Sequence, residues 1–182
     1  MKVLPSEARP ADEDLLVAEL ELLGVSYLSR SGSARPTSVR PHDQLVADLV
    51  RQPSARLRQA LIAVLLAHPE LAAAVPAALA ELSPPEQLTL RVFYTAAVLL
   101  QQEHANRLQT LLTTQWQFLP DLFAMELGLP RQGSPRDRLA QLGQTHRRLS
   151  GTAVNWTGTY ENVARNLLRR LEMEHQWNRS LP

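Results

Sequence analysis

The sequence predicts an all-α fold, a compact multi-helix bundle of about six to eight helices with a tethered helix at the N-terminus. Leucine and alanine, both good helix formers, occur 34 and 22 times, whereas Phe, Tyr and Trp occur only three times each. A chain of 182 residues can bury about 70% of its unfolded surface. It can therefore build a core without disulfides or metal ions.

Composition divides the chain into three expected segments. Residues 1–28 form an acidic N-terminal segment with an amphipathic helix, residues 29–41 (SRSGSARPTSVRP) form a flexible linker, and residues 42–182 form the helical domain. Residues 1–29 hold six acids and two bases, whereas residues 131–182 hold nine bases and four acids. Opposite charge fields attract, so we expect the N-terminal segment to pack near the basic C-terminal helices.

The first helix is predicted over residues 11–23. Acidic residues in its first turn suit the positive end of the helix dipole, and Gly24 is a suitable stop. Its leucines form a broad apolar face, which docks either on the chain's own domain or in a groove of another subunit. We therefore name Leu16, Leu20 and Leu23 as candidate partner contacts.

Prolines, glycines and caps place the helices of the domain. They are predicted over residues 42–51, 54–67, 69–82 with a kink at Pro76, 85–113, a short stretch within 115–127 around Pro120, 134–149 and 156–178. The helix from residue 85 follows the capping box Ser83-Pro84-Pro85-Glu86. Its stretch 92–100, VFYTAAVLL, is apolar all round and predicts a central helix packed on several sides.

Arginines on the last two predicted helices form the candidate nucleic-acid surface. They are interleaved with His146, Trp156, Tyr160 and Trp177, and such a surface can bind phosphates by charge and bases by stacking. The alternative is a solvated helix face with aromatic residues in the core. The candidate contacts are Arg147, Arg148, Arg165, Arg169 and Arg170.

The stretch Trp116, Leu119, Leu122 and Phe123 has helical spacing and is a second candidate surface. Trp116 and Phe123 are its candidate partner contacts. The same pattern also serves to close a hydrophobic core.

Motifs for catalysis, cofactors and metals are lacking from the sequence. Absent cysteine excludes thiol nucleophiles and cysteine-ligated metals, and there is no G-x-S-x-G elbow or phosphate-binding glycine loop. Glu172 and His175 form a single Glu-x-x-His, whereas di-iron bundles use two copies. A site made from His104, His146 and His175 is geometrically conceivable, but no ligand spacing encodes it. We expect no enzyme activity, cofactor or metal.

No stretch reaches 18 uninterrupted apolar residues, and the start MKVLPSEARPADED lacks a secretory apolar run. We therefore expect a soluble cytoplasmic protein without a membrane partner.

The segment HPELAAAVPAALAELSPPEQLTLRVFYTAAVLLQ, residues 68–101, resembles small bacterial helical proteins that accompany nucleotidyltransferase-like partners, including those of toxin–antitoxin modules. The resemblance covers under a fifth of the chain, and it carries over no residue roles. Together with the apolar helix faces, it favours a non-catalytic interaction protein or regulatory subunit of a bacterial complex, with a protein partner or a second copy of itself. The alternative is a nucleic-acid-binding regulator or an antitoxin-like partner of a nucleotidyltransferase-type protein.

Overall fold

The computed structural model describes residues 10–25, 40–112 and 116–180, and these contain helices and no strand. The helices are α1 (Pro10–Leu22), α2 (His42–Arg51), α3 (Ala55–Ala67), a 3₁₀ helix (Pro69–Ala74), α4 (Val75–Ala80), α5 (Pro84–Glu103), α6 (Ala105–Leu112), α7 (Pro135–Ser150) and α8 (Trp156–Ser180). The predicted all-α bundle is confirmed.

Caps fix several helix boundaries close to their predicted positions. The backbone N–H of Ser83 donates to Oε2 of Glu86 at 2.8 Å, which completes the predicted capping box of α5. At α7, Oγ of Ser134 accepts from the backbone N–H of Asp137 at 3.1 Å. At the end of α1, Gly24 adopts a φ of 74°. This left-handed conformation suits glycine and ends the helix.

The predicted helix over residues 85–113 is broken at His104. That residue has φ −108° and ψ 19°, outside the helical region, and α6 resumes at Ala105. Neither proline nor glycine marks the break, which is why the sequence predicts one continuous rod. Earlier in the chain, a kink is predicted at Pro76. The structure instead has a 3₁₀ helix that ends at Ala74 and an α-helix, α4, that begins at Val75.

The short helix predicted around Pro120 is not formed. Residues 116–129, here called the 116–129 segment, contain only a run of turns over 124–128. The segment closes where the N–H of Leu129 donates to the carbonyl of Ala124 at 2.9 Å and Gly128 adopts a φ of 70°. This is the geometry of a helix end, so the segment holds a single turn.

The core lies along α3 and α5. Every residue from Val92 to Leu100 on α5 is buried, and α5 packs against α2, α3, α6, α7 and α8. The predicted central helix is therefore confirmed. On α3, residues 60–67 are all buried as well, so two helices that are apolar all round form the centre of the bundle.

The N-terminal helix packs onto the rest of its own chain. Leu16 and Leu20 are fully buried in the common core. Glu19, which is 5% exposed, binds the guanidinium of Arg40 at 2.7 Å, and Arg40 also pairs with Asp48 on α2. Among the described residues, the ion pair of α1 is made to Arg40 and none is made to an arginine of the C-terminal helices. Residues 29–39 of the predicted linker lie outside the described residues.

A cluster of rings joins α5, α7 and α8. His146 stacks on Trp156 with ring centroids 3.8 Å apart, and Phe93 meets His146 edge to face at 5.9 Å. The hydroxyl of Tyr160 and Nδ1 of His146 share a hydrogen bond of 2.6 Å. Close approach of α7 to α8 depends on Gly143, where a Cβ would lie 2.2 Å from Oγ1 of Thr157. His146, Trp156 and Tyr160 therefore pack in or against the core, whereas Trp177, the fourth of the predicted interleaved rings, is 70% exposed on α8.

Among the described residues, no single helix has both the length and the hydropathy to cross a membrane. Two consecutive helical stretches, Ala55–Ala67 and Pro69–Ala80, have the required length and hydropathy only when they are taken together, and the chain bends by 115° between them.

Candidate functional site

A pocket of about 260 Å³ opens at the break between α5 and α6. Its floor is apolar and is made by Leu100, Leu139 and Leu168. Six side chains that carry charge or titrate also line it: Glu103, His104, Arg107, Arg136, Glu161 and Arg165. We call it the mixed-charge pocket.

Helical spacing brings these side chains to one space. The α8 residues Glu161, Arg165 and Leu168 follow one another at i, i+4 and i+7, so they lie on one stripe. Glu103 is the last residue of α5, His104 lies at the break, and Arg107 lies on α6. The pocket therefore lies beside the break between α5 and α6.

The arginines of the pocket differ in how they are paired. Nε and Nη2 of Arg107 donate to Oε1 of Glu172 at 3.1 and 2.5 Å. Glu172 does not line the pocket, so the positive charge of Arg107 is neutralised by a carboxylate outside it. Arg165 donates to Oδ1 of Asn162 at 2.9 Å, which is a neutral partner. Within the described part of the chain, Arg136 forms no ion pair or hydrogen bond. Arg136 and Arg165 thus keep their positive charge available.

Two carboxylates of the pocket are equally available. Over residues 10–25, 40–112 and 116–180, Glu103 and Glu161 make no ion pair with any arginine. Burial lowers the pKa of His104 below its usual value of 6.5, and Arg107 lowers it further, while the two carboxylates oppose the shift. His104 is therefore neutral at pH 7, and two positive and two negative groups face the pocket.

The five arginines predicted as nucleic-acid contacts do not share one surface. Arg147 and Arg148 are exposed at the C-terminal end of α7, where they line a shallow cleft. Arg165 lies in the mixed-charge pocket, which meets the opposite end of α7, about 16 Å away along the helix axis. Arg169 is exposed on α8, whereas Arg170 is bound to Glu174 on the same helix at 2.6 Å.

The 116–129 segment is fastened to the bundle by buried polar contacts. Gln101 on α5 is fully buried, donates Nε2 to the carbonyl of Gln117 at 2.9 Å, and accepts the N–H of Leu119 at 2.7 Å. We call this pair of bonds the Gln101 clamp. Tyr94 donates its hydroxyl to the carbonyl of Pro120 at 2.8 Å. The backbone of the segment is thus fixed from the core outwards.

Apolar anchors complete the attachment of this segment. Leu119, Phe123 and Leu127 are buried, and Phe123 meets the ring of Tyr94 edge to face at 5.4 Å. Other large apolar side chains of this segment are exposed, one just before the first anchor and two between anchors. They are Phe118 (65% exposed), Leu122 (38% exposed) and Met125 (74% exposed). We call these three side chains the apolar patch.

Of the predicted partner contacts, few lie on the surface. Leu16, Leu20 and Phe123 are buried, and Leu23 is half-buried against the core. Trp116 is half-buried and packs edge to face on Phe118 at 5.2 Å. The helical spacing over residues 116–123 selects Leu122 as part of the candidate surface, but it does not select Phe118 or Met125. Helical spacing misled the interpretation there, because the segment is not a helix.

The histidines do not converge. In the described residues there is no group of three or more His, Asp or Glu side chains that could hold a metal ion. Nδ1 of His146 is occupied by the hydroxyl of Tyr160, while His104 lies in the mixed-charge pocket. The set His104, His146 and His175 is therefore not assembled.

Comparison of the chain with known protein families, curated proteins and solved structures gives no match.

Proposed function

We propose that this chain is a non-catalytic helical interaction protein and that the apolar patch is its contact surface for a partner protein. The observation that carries the proposal is the contrast, within the 116–129 segment, between exposed apolar side chains and a fixed backbone. Phe118 and Met125 are 65% and 74% exposed, although the backbone between them is fixed by the Gln101 clamp and by Tyr94.

Exposure of these side chains is unfavourable unless a partner covers them. Burial of a side chain as large as Phe or Met contributes about 1.5–3 kcal/mol. Phe and Met are also enriched at the centres of protein interfaces. Since the segment is already ordered, a partner would bind it without a large loss of backbone entropy. Rigid presentation of apolar side chains thus supports a binding role.

The charges around the patch indicate what kind of partner fits. Asp121 is bound to Arg138 at 3.2 Å, and Glu126 to Arg91 at 3.2 Å. These two carboxylates are paired within the chain, whereas the exposed Arg131 donates Nη2 to Sδ of Met125 at 3.7 Å and, among the described residues, forms no ion pair. One positive charge therefore borders the patch, and the partner that fits is a protein that presents apolar side chains to the patch without a positive charge opposite Arg131. A second copy of this chain meets the same requirement, so it is one outcome of the test.

The test compares three forms of the full chain. The first is the natural chain, and the second is the patch variant Phe118→Ser/Met125→Ser. The third is a control, Leu149→Ser, which removes a 49% exposed leucine outside the patch. Each purified form is analysed by sedimentation velocity for self-association. Each is then used in tagged form to capture proteins from the source cell, with nuclease-treated and untreated halves.

The proposal predicts a stoichiometric partner, or a dimer, with the natural chain and the control, and its loss with the patch variant. Because the two replaced side chains are exposed, the variant should keep its circular dichroism spectrum. The proposal is overturned if all three forms are monomers without a partner. Equal binding by the patch variant also overturns it.

A second candidate function is a nucleic-acid-binding regulator, as in an antitoxin-like partner of a nucleotidyltransferase-type protein. It is supported by Arg147 and Arg148, which are exposed and, among the described residues, make no ion pair. The same two arginines also suit the negative end of the α7 dipole without any ligand. Fluorescence anisotropy with a labelled oligonucleotide tests the candidate. Affinity should fall with added salt and with Arg147→Gln/Arg148→Gln, and affinity unchanged by either would refute it.

A further inference from the structure

The mixed-charge pocket holds separated charges of both signs over an apolar floor. Arg136 and Arg165 supply the positive charges, and Glu103 and Glu161 supply the negative ones. In the part of the chain that the structure describes, no ion pair joins these four residues to one another. The charges are therefore available to a ligand, and they are not consumed in internal pairs.

The balance of charge selects among ligand classes. Arg107 is offset by Glu172, and the lowered pKa of His104 keeps that ring neutral at pH 7. A simple anion would be attracted by the arginines but repelled by the carboxylates. A simple cation would be attracted by the carboxylates but repelled by the arginines. A ligand that carries both charges finds a partner for each. Charge-assisted hydrogen bonds of both kinds then contribute to binding.

Size and floor restrict the ligand further. Sites for drug-sized ligands have volumes of about 300–1,000 Å³, and this pocket, at about 260 Å³, lies below that range. The floor of Leu100, Leu139 and Leu168 suits a short apolar group. We propose that the mixed-charge pocket binds a small zwitterion of the free α-amino acid class, with its carboxylate at the arginines, its ammonium at the glutamates and its side chain on the leucines.

This site is separate from the apolar patch, which lies on the 116–129 segment. None of its lining residues belongs to that segment. Failure of either proposal therefore leaves the other standing.

The experiment measures binding of free amino acids to the purified full chain by thermal shift, followed by calorimetry. L-leucine is the first probe, and the other standard amino acids complete the panel. Two analogues of leucine each lack one charge: 4-methylpentanoate lacks the ammonium, and 3-methylbutylamine lacks the carboxylate. At least one amino acid is expected to bind about tenfold or more tightly than either of its single-charge analogues.

Variants assign the site. Glu161→Gln and Arg136→Gln are each expected to weaken binding by about tenfold or more, because each removes one charged partner. Arg148→Gln and Glu174→Gln change the same charges outside the pocket and should leave affinity unchanged. Circular dichroism checks that each variant is folded, and Glu103→Gln and Arg165→Gln replace any that is not.

The proposal is overturned if no free amino acid binds at millimolar concentration. It is also overturned if 4-methylpentanoate or inorganic phosphate binds as tightly as the zwitterion, because the site would then be a plain anion site. Binding that survives both Glu161→Gln and Arg136→Gln would place the ligand elsewhere on the chain.

Discussion

Acidification should destabilise this protein through His146. Burial lowers the pKa of this imidazole from 6.5 to about 4. The ring is 4% exposed, is stacked on Trp156, and shares a hydrogen bond at Nδ1 with the hydroxyl of Tyr160. Protonation would place a charge in a buried cluster of aromatic rings, away from water.

The pKa difference gives the magnitude and the sign. Between pH 6.5 and pH 4 the unfolded chain binds a proton at this histidine that the folded chain does not, so stability falls as the pH falls through that window. Each unit of pKa difference is worth about 1.4 kcal/mol, so the full shift costs about 3 kcal/mol well below pH 4. About 2 kcal/mol of this is lost between pH 7 and pH 5.

The assay is urea denaturation at pH 7, 6 and 5, followed by circular dichroism. The reference is the variant His146→Phe/Tyr160→Phe, which keeps ring packing, removes the titrating group, and leaves no unpaired hydroxyl. His104 and the carboxylates titrate in both proteins, so the difference between the two pH dependences isolates His146. The natural chain should lose about 2 kcal/mol more than the variant between pH 7 and pH 5. Parallel pH dependences would show that the buried ring does not resist protonation, and the reasoning would be wrong.

Three further changes test contacts that fix the architecture. Gln101→Leu removes the Gln101 clamp and should cost about 2–4 kcal/mol in urea denaturation, because two backbone groups lose their partners. Gly143→Ala should cost about 1–3 kcal/mol, because the added Cβ would lie 2.2 Å from Oγ1 of Thr157. Arg40→Gln leaves the buried carboxylate of Glu19 unpaired, so hydrogen exchange in α1 should accelerate at least about tenfold, as measured by mass spectrometry.

Each of these changes has a matched control at an exposed position. Gln102→Leu, Gln144→Ala and Arg148→Gln alter neighbouring or equivalent side chains without the buried contact. Equal stability of Gln101→Leu and Gln102→Leu would remove the argument for a rigid 116–129 segment. A fully stable Gly143→Ala would mean that α7 and α8 do not approach closely. Unchanged exchange in Arg40→Gln would show that α1 is held by its leucines alone.

Helix positions follow from local chemistry, and most were predictable for that reason. The capping box at Ser83, the cap at Ser134 and the stop at Gly24 each involve residues within a few positions of one another. Such contacts can be recognised in a sequence because the partners are neighbours. The break at His104 has no local cause of this kind. It interrupts a strongly helical pattern, and the mixed-charge pocket lies beside it.

The candidate sites were less predictable, because they depend on contacts between distant residues. Arg165 was identified from the charge of the C-terminal helices, but its neighbours Glu103, His104 and Arg107 come from α5, the break and α6. The sequence also marks the stretch 116–123 as apolar. Helical spacing, however, predicts Trp116 and Phe123 as the partner contacts, whereas Phe118 is exposed and Phe123 is buried. Gln101 fastens this stretch in a conformation without helical periodicity, which exposes Phe118.

The all-α class, the central apolar stretch 92–100 and most helix boundaries follow from the sequence, because composition, periodicity and capping act over short distances along the chain. Only the tertiary structure decided which faces are covered. It buried Leu16 and Leu20 in the chain's own core, separated Arg147 from Arg165, and left Phe118 and Met125 exposed. These outcomes depend on which helices meet, and that depends on packing between residues far apart in the sequence.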